Sequence, residues 1–344
     1  IEPFATFNPD YPIVGFSRRA FARFCIDAER EKFDVLHSFN LNAIGSLSVR
    51  DRLENLKIPH VISSFETIMM DVRAKLTEFR SLPSFKTLLQ AMFEAFLAIF
   101  YERRYLIHGR RVITEDENTS RALQAMQIPR ERIRLIPSGV DVDGAAQSKP
   151  PIIDVRQGLA GPVIGYIGRI DPRKGVQYLI NAMKRVRDRY PGTVLFLAGG
   201  SRHGYDREIR KLIKAAGLTP SVRHLGRIEG DILPYYKLAD VIVIPSLSEG
   251  IPITLGEAMA SRIPVVITRL PGVMPFVKPP DLVHWAEMAD VDSLAAAIEV
   301  ALDDSRRNER VAQAFTFIQN HSWEAVAQRH LEVYFEASSS GECE

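Results

Sequence analysis

From Val163 onward the sequence repeats one pattern: a short run rich in β-branched residues, then a longer stretch whose apolar residues recur at helical spacing. A parallel sheet answers to that alternation, because parallel neighbours need a long crossover connection and its helices cover the faces of the sheet. The runs are 163–167, 194–197, 222–225, 241–244, 265–268 and 282–285. Between the first two, Leu179, Ala182, Met183, Val186 and Tyr190 fall on one helical face that stops at Pro191. Runs at 34–37, 61–64, 112–114 and 134–137, separated by amphipathic segments, predict a second domain of the same kind. Gly144, Lys149, Pro150, Pro151, Gly158, Gly161 and Pro162 make 143–162 the linker. The fold class expected is α/β, with two Rossmann-like doubly wound domains, 1–147 and 148–321, facing a cleft. In open α/β sheets ligands bind beyond the carboxyl ends of the strands, so chemistry is sought there.

Composition narrows the function classes. A chain of 344 residues suits two domains, and 46% hydrophobic with 25% charged residues is globular, which excludes a disordered or collagenous protein. Forty-four Lys and Arg against 42 Asp and Glu leave a net charge of +2, no field for holding nucleic acid. Cys25 and Cys343 lie far apart without metal-ligand spacing, so neither a structural zinc nor a disulfide framework is expected, and a reducing cytoplasm is the natural compartment. The apolar stretch Leu88 to Phe100 is broken by Gln90 and Glu94 and falls short of the roughly 20 residues a membrane span needs. The chain opens at Ile1 without Met, basic n-region or apolar h-region, which reads as no secretory signal or as a fragment whose own start lies upstream.

Two segments carry the chemistry. After the run at 241–244 comes Ser246-Leu247-Ser248-Glu249-Gly250-Ile251-Pro252-Ile253-Thr254-Leu255-Gly256-Glu257, with two carboxylates straddling a strand-to-helix turn. Pro252 suits the first turn of a helix, whose unpaired N–H groups favour an anion such as phosphate. Glu249 is then a loop carboxylate at the cleft, and Glu257 a helical one able to accept from paired hydroxyls such as those of a ribose. The bland alternative makes both solvated surface charges. The other segment, Gly168-Arg169-Ile170-Asp171-Pro172-Arg173-Lys174-Gly175, places Arg169 and Lys174 at the mouth of the same sheet, while Arg173 reads as a surface charge. Fixed cations beside a helix N-terminus stabilise the charge that gathers on a nucleoside diphosphate leaving group, without a metal.

With these residues in place the sequence resembles the retaining GT-B glycosyltransferases of family 4, the glycosyl transferases group 1. Gly168-Arg169 with Lys174-Gly175, Ser248-Glu249-Gly250 with Glu257-Ala258-Met259-Ala260, and Pro264-Val265-Val266 carry the resemblance. Ile136-Pro137-Ser138-Gly139-Val140-Asp141, Tyr235 to Pro245 and Asp34-Val35-Leu36-His37 support it, so it covers nearly the whole chain. It implies that Arg169 and Lys174 hold the donor diphosphate, Glu249 the sugar hydroxyls and Glu257 the ribose. Gly168, Gly250, Ile251, Pro252, Ile253 and Thr254 would line the donor site, and backbone near Arg227 and Ile228 would meet the base. The nucleotide sugar, a UDP- or GDP-sugar, is a substrate, a glycan, lipid or small molecule is the acceptor, and no cofactor or metal is implied. The resemblance also implies a helix at 322–337, with Ser322 as N-cap, crossing back onto the first domain.

Three departures qualify that picture. The family opens with a strand and a Gly-rich loop, and nothing before Asp34 matches them, so the N-terminal domain is expected to be incomplete by roughly one strand-helix-strand unit. Glu66, within Ser64-Phe65-Glu66-Thr67, stands where the family usually carries a His in the cleft, a fourth catalytic position. A carboxylate there can bind a sugar hydroxyl but repels a nearby diphosphate unless protonated or turned away. Arg262 replaces a usual glycine and Pro275 a usual glutamate, affecting loop shape and acceptor contacts.

Other signals are weighed and set aside. Asp141-Val142-Asp143 spells a metal-binding pair but falls in a turn before the linker, and His37 reads as a satisfied structural residue at a strand end. Phe85, Leu88, Leu89, Met92, Phe93, Phe96, Ile99 and Phe100 line one helical face, followed by Arg103, Arg104, Arg110 and Arg111. A core-facing helix with solvated arginines is the favoured reading, and a peripheral contact of 85–111 with the inner face of the membrane is its alternative. The expected function is transfer of a sugar to an acceptor hydroxyl with retention. Its rivals are a nucleotide-sugar epimerase of the same architecture and a non-catalytic sugar-nucleotide-binding protein.

Overall fold

The computed structural model describes residues 23–28, 30, 32–39, 57–65, 92, 102–201 and 204–339. Two compact units form, one of residues 1–137 with 327–344, the other of 138–326.

In the larger unit six parallel strands run β10-β9-β8-β5-β6-β7, where β5 is Val163–Ile167, β6 Val194–Ala198, β7 Val222–Gly226, β8 Val241–Ile244, β9 Val265–Thr268 and β10 His284–Ala286. Side chains alternate between two buried layers, because a strand covered on both faces must be apolar at every position. Ile164, Tyr166, Val241 and Val243 meet Leu179, Ile180, Met183 and Val186 of helix α4 (Val176–Arg189) and Leu294 and Ile298 of α8 (Val291–Leu302). Val163, Ile167, Ile242 and Ile244 meet Leu255, Ala258 and Met259 of α7 (Ile253–Ala260) and Ala314 and Ile318 of α9 (Arg307–Gln319). The expected strand at 282–285 begins later, because Pro280–Leu282 forms a 3-10 turn that takes Leu282 into the core.

The division of the chain falls ahead of the expected boundary at 147. Residues Val142–Gln147 form helix α3, capped by the Asp141 carboxylate on Gly144 N at 2.8 Å, and Val140, Val142 and Ala145 are buried in the core of the larger unit. The expected linker 143–162 thus begins inside this helix, and Ala145 and Val155 within it are buried in the same core. Capping also employs Asp141 structurally, and among the described residues no group of three or more His, Cys, Asp or Glu gathers as a cation would require. Arg262 takes a left-handed backbone (φ 58°), and its guanidinium lies 3.9 Å over the Phe315 ring, which accounts for a long side chain at that turn.

The other unit carries a parallel sheet β1-β2-β3-β4, of Leu36–Phe39, His60–Ser63, Arg111–Thr114 and Ile133–Leu135. Strand β4 stops before Pro137, which has no N–H to donate. Ile62, Tyr105, Leu106, Val112, Leu123 and Ile133 form its core between the sheet, helix α1 (Arg103–His108) and helix α2 (Glu117–Ala125). The final helix, α10, spans Trp323–Ser339, and Ser322 Oγ accepts from Ala325 N at 3.2 Å at its start. Its last turns belong to the smaller unit: Tyr334 Oη lies 2.7 Å from His37 Nδ1, and Glu336 accepts from Arg111 at 3.1 Å and Arg134 at 2.5 Å. His37 Nε2 meets Ser63 Oγ at 2.8 Å, so both ring nitrogens are matched to hydroxyls, a structural role. The expectations about Glu66 and about the apolar face of 85–100 fall on residues outside those described, apart from Met92, and of the stretch before Asp34, on which the expectation of a missing opening unit rests, only residues 23–28, 30 and 32–33 are described. Among the described residues no helix is long and apolar enough to cross a membrane.

Candidate functional site

In the six-stranded sheet, β5 and β8 are neighbours whose connections leave in opposite directions, which opens a crevice beyond their carboxyl ends. Residues Gly168 to Gly175 leave β5 and Pro245 to Pro252 leave β8, so the two chemical segments of the sequence meet there.

Backbone contacts stitch this rim together. Gly168 N donates to Ala198 O at 2.9 Å, Ile170 N to Gly200 O at 2.9 Å, and Gly199 N to Gly226 O at 2.7 Å. The Tyr166 phenol, buried in the core, donates to Arg169 O at 2.5 Å and pins the loop from below. Asp171 accepts from Arg173 N at 3.0 Å and Lys174 N at 3.3 Å, folding a 3-10 turn, Pro172–Lys174, that ends at Gly175. Gly175 has φ +69°, and a Cβ there would stand 1.9 Å from Pro245 O, so only glycine lets the two loops approach this closely. Leu247 N then donates to Arg173 O at 2.8 Å, and Thr268 Oγ1 to Ser246 O at 2.5 Å.

Four charged side chains stand on this frame. Lys174 Nζ lies 2.6 Å from Glu249 Oε2, with the side chains 21% and 14% exposed, and the other Glu249 oxygen accepts from the Ser246 hydroxyl. Arg169 is more open, 3.8 Å from Asp171 Oδ2, so it can turn to a ligand at little cost. Pro252 is the N-cap of α7, one position before the first turn where it was expected, and its φ of −65° leads directly into the helix. Leu255 N donates to Pro252 O at 3.0 Å, which leaves the N–H groups of Ile253 and Thr254 at the start of α7, the end of a helix where an anion is favoured. Glu257, half-buried on α7, accepts from the fully buried Tyr236 phenol at 2.5 Å. Burial pushes the Glu257 carboxyl above its ordinary range, and the Tyr236 donation pulls against it.

The remaining expected residues lie around this centre. Gly250 and Ile251 are half-buried in the loop, with the Gly250 carbonyl 3.0 Å from where a Cβ on Gly272 would be. Ile253 is half-exposed and Thr254 half-buried on the first turn of α7. Arg227 is exposed beside Gly200, and Ile228 packs against the core, so both stand further along the rim, beyond β7. Tyr166, Tyr236 and Ser246, which hold the Arg169 backbone and the two glutamates, did not figure among the expected site residues. A buried phenol needs a hydrogen-bond partner, and Tyr236 within an apolar run carried that signal without naming its partner.

Comparison with known proteins bears on both units. The model of the family described as "Glycosyl transferases group 1" matches residues 155–315, and that described as "Glycosyltransferase Family 4" matches residues 1–143. The phosphatidyl-myo-inositol mannosyltransferase of Mycolicibacterium smegmatis is 28% identical over 313 residues, 90% of this chain and 72% of the relative. Against the first curated relatives the match spans about half their length, 54% and 55%. Among solved structures, the sucrose-phosphate synthase of Thermosynechococcus elongatus superposes with a TM-score of 0.76 at 21% identity, covering 98% of this chain and 82% of that one. Anabaena HepE in complex with UDP-glucose gives 0.68 at 20% identity, over 92% of this chain and 81% of that one.

Proposed function

The chain belongs to the GT-B glycosyltransferases of group 1 and family 4, and on that premise we propose that it moves a sugar from a UDP- or GDP-sugar to an acceptor hydroxyl, with retention and without a metal. One observation carries this reading: Arg169, the Lys174–Glu249 pair and the start of α7 converge on the crevice between β5 and β8. In it Arg169, Lys174 and the α7 N–H groups hold the diphosphate and take up the charge that develops as the bond from the anomeric carbon to the phosphate oxygen breaks. The departing phosphate oxygen accepts the proton of the incoming hydroxyl on the same face, so the new glycosidic bond forms without a protein nucleophile. Glu249, oriented by Lys174 and Ser246, receives the donor sugar hydroxyls, and Glu257 receives the ribose. That HepE was solved with UDP-glucose favours a uridine donor.

The test is to incubate the protein with UDP- and GDP-sugars, alone and with a panel of glycan, lipid and small-molecule acceptors, and to determine the anomeric configuration of any product. Acceptor-dependent transfer with retention, unaffected by a chelator, is expected. An epimerised donor formed without acceptor would indicate an epimerase. Tight donor binding by the wild type with no turnover of any acceptor, unchanged in Glu249→Ala, would indicate a binding protein.

A further inference from the structure

Tyr236 belongs to a four-residue helix, α6 (Leu233–Tyr236), between β7 and β8, and it is 0% exposed. A phenol so placed must find an acceptor within the protein, and among the described residues its hydroxyl has one side-chain partner, Glu257 Oε2 at 2.5 Å. Glu257 in turn has no other side-chain donor among the described residues. The helix that carries it is seated tightly, since a Cβ on the adjacent Gly256 would stand 2.5 Å from Val140 Cγ2. A rigid phenol and a fixed helix thus hold the carboxylate in one orientation, with Oε1 and a lone pair of Oε2 left for a ligand.

Resting on the reading of Glu257 as the ribose acceptor, we infer that Tyr236 is a positioning residue that lets the site discriminate ribonucleoside from dideoxyribonucleoside diphosphates. A vicinal diol offers two donors to one carboxylate, and the pairing is strong only if the carboxylate is ionised and already aimed. The Tyr236 phenol supplies both conditions. It donates to the charged form, opposing the burial that favours the neutral one, and it removes rotamer freedom that binding would otherwise have to restrict.

The experiment measures calorimetric affinity of the full chain for UDP, GDP and ADP and, for the tightest binder, its 2′,3′-dideoxy analogue, in the wild type and in Tyr236→Phe and Glu257→Gln. The wild type should prefer the ribonucleotide by about tenfold, the worth of a hydrogen bond to a charged group. Tyr236→Phe should bring that ratio close to one by weakening only the ribonucleotide, and Glu257→Gln should do the same. Equal weakening of both ligands in Tyr236→Phe, or an unchanged ratio, overturns the inference, and so does failure of both Tyr236→Phe and Tyr236→Leu to fold. A Glu257→Gln variant that keeps the wild-type ratio, or a wild type that binds none of the three diphosphates, overturns instead the reading on which the inference rests.

Discussion

Lys174 Nζ and Glu249 Oε2 stand 2.6 Å apart, so the cation assigned to the phosphates is neutralised by the acid assigned to the sugar. The pair couples the two halves of a donor. A nucleoside diphosphate alone has to compete with Glu249 for Lys174, whereas the intact donor gives Glu249 hydroxyls to accept from. Glu249→Gln should therefore bind free UDP or GDP about three- to tenfold more tightly, the loss of roughly 1 kcal/mol of competing ion pair. Sugar transfer by the same variant should fall at least about a hundredfold. Calorimetry beside a turnover assay checks both, and weaker binding of the free diphosphate contradicts the coupling.

Lys174→Ala should abolish the rise in melting temperature that a nucleotide sugar produces, because the ligand then loses its phosphate partner. The ligand-free variant should also be less stable, by about 1–3 kcal/mol, since Glu249 keeps only Ser246 in a largely buried position. Lys174→Ala combined with Glu249→Gln should recover part of that loss without restoring binding. A double-mutant cycle in denaturant reads the coupling, and strictly additive losses would dissolve the pair.

Gly175→Ala should cost more than about 2 kcal/mol, from the left-handed backbone and the collision with Pro245 O together. Because Gly175 joins the two loops, donor affinity should fall with stability. Wild-type stability of the variant would mean that the loops are not held as described.

Acid should weaken the smaller unit. Burial, with His330 nearby, holds His37 at about 4, and burial, with His37 and His108 nearby, holds His60 at about 4. Both lie below the unfolded value of about 6.5, so between those limits the unfolded chain binds protons that the folded one refuses, and stability falls as pH drops from 6.5 toward 4. The buried His60, bonded to Ser38 Oγ at 2.7 Å, should account for up to about 3 kcal/mol of that loss. Denaturant unfolding at pH 7 and pH 4.5 should show it, and His60→Gln should flatten the difference. An equal pH response in that variant would contradict the assignment.

How much of this was legible in the sequence depends on the length scale of each feature. The strands of the larger unit could be read because a doubly covered strand is apolar at every position, and 163–167, 241–244 and 265–268 fall where that pattern places them. The strand at 282–285 was misplaced because Leu282 is apolar for a turn, not for a ladder. The linker reading holds over 148–162, which carries no helix or strand, and errs at 143–147, where the Gly and Pro content hides the end of α3 and the buried Ala145. Arg169, Lys174, Glu249 and Glu257 stood out as charges beside strand ends. Their supports did not, because Tyr236 and Glu257 are brought together by the packing of α6 on α7, and no local spacing encodes that contact.

The most direct test is a crystal structure of the protein with an intact nucleotide sugar. The account predicts phosphate oxygens within hydrogen-bonding distance of Lys174 Nζ and the Arg169 guanidinium, at the N-terminal end of Ile253–Ala260, with sugar hydroxyls on Glu249. A donor whose phosphorus atoms sit away from Arg169, Lys174 and that helix end would contradict it.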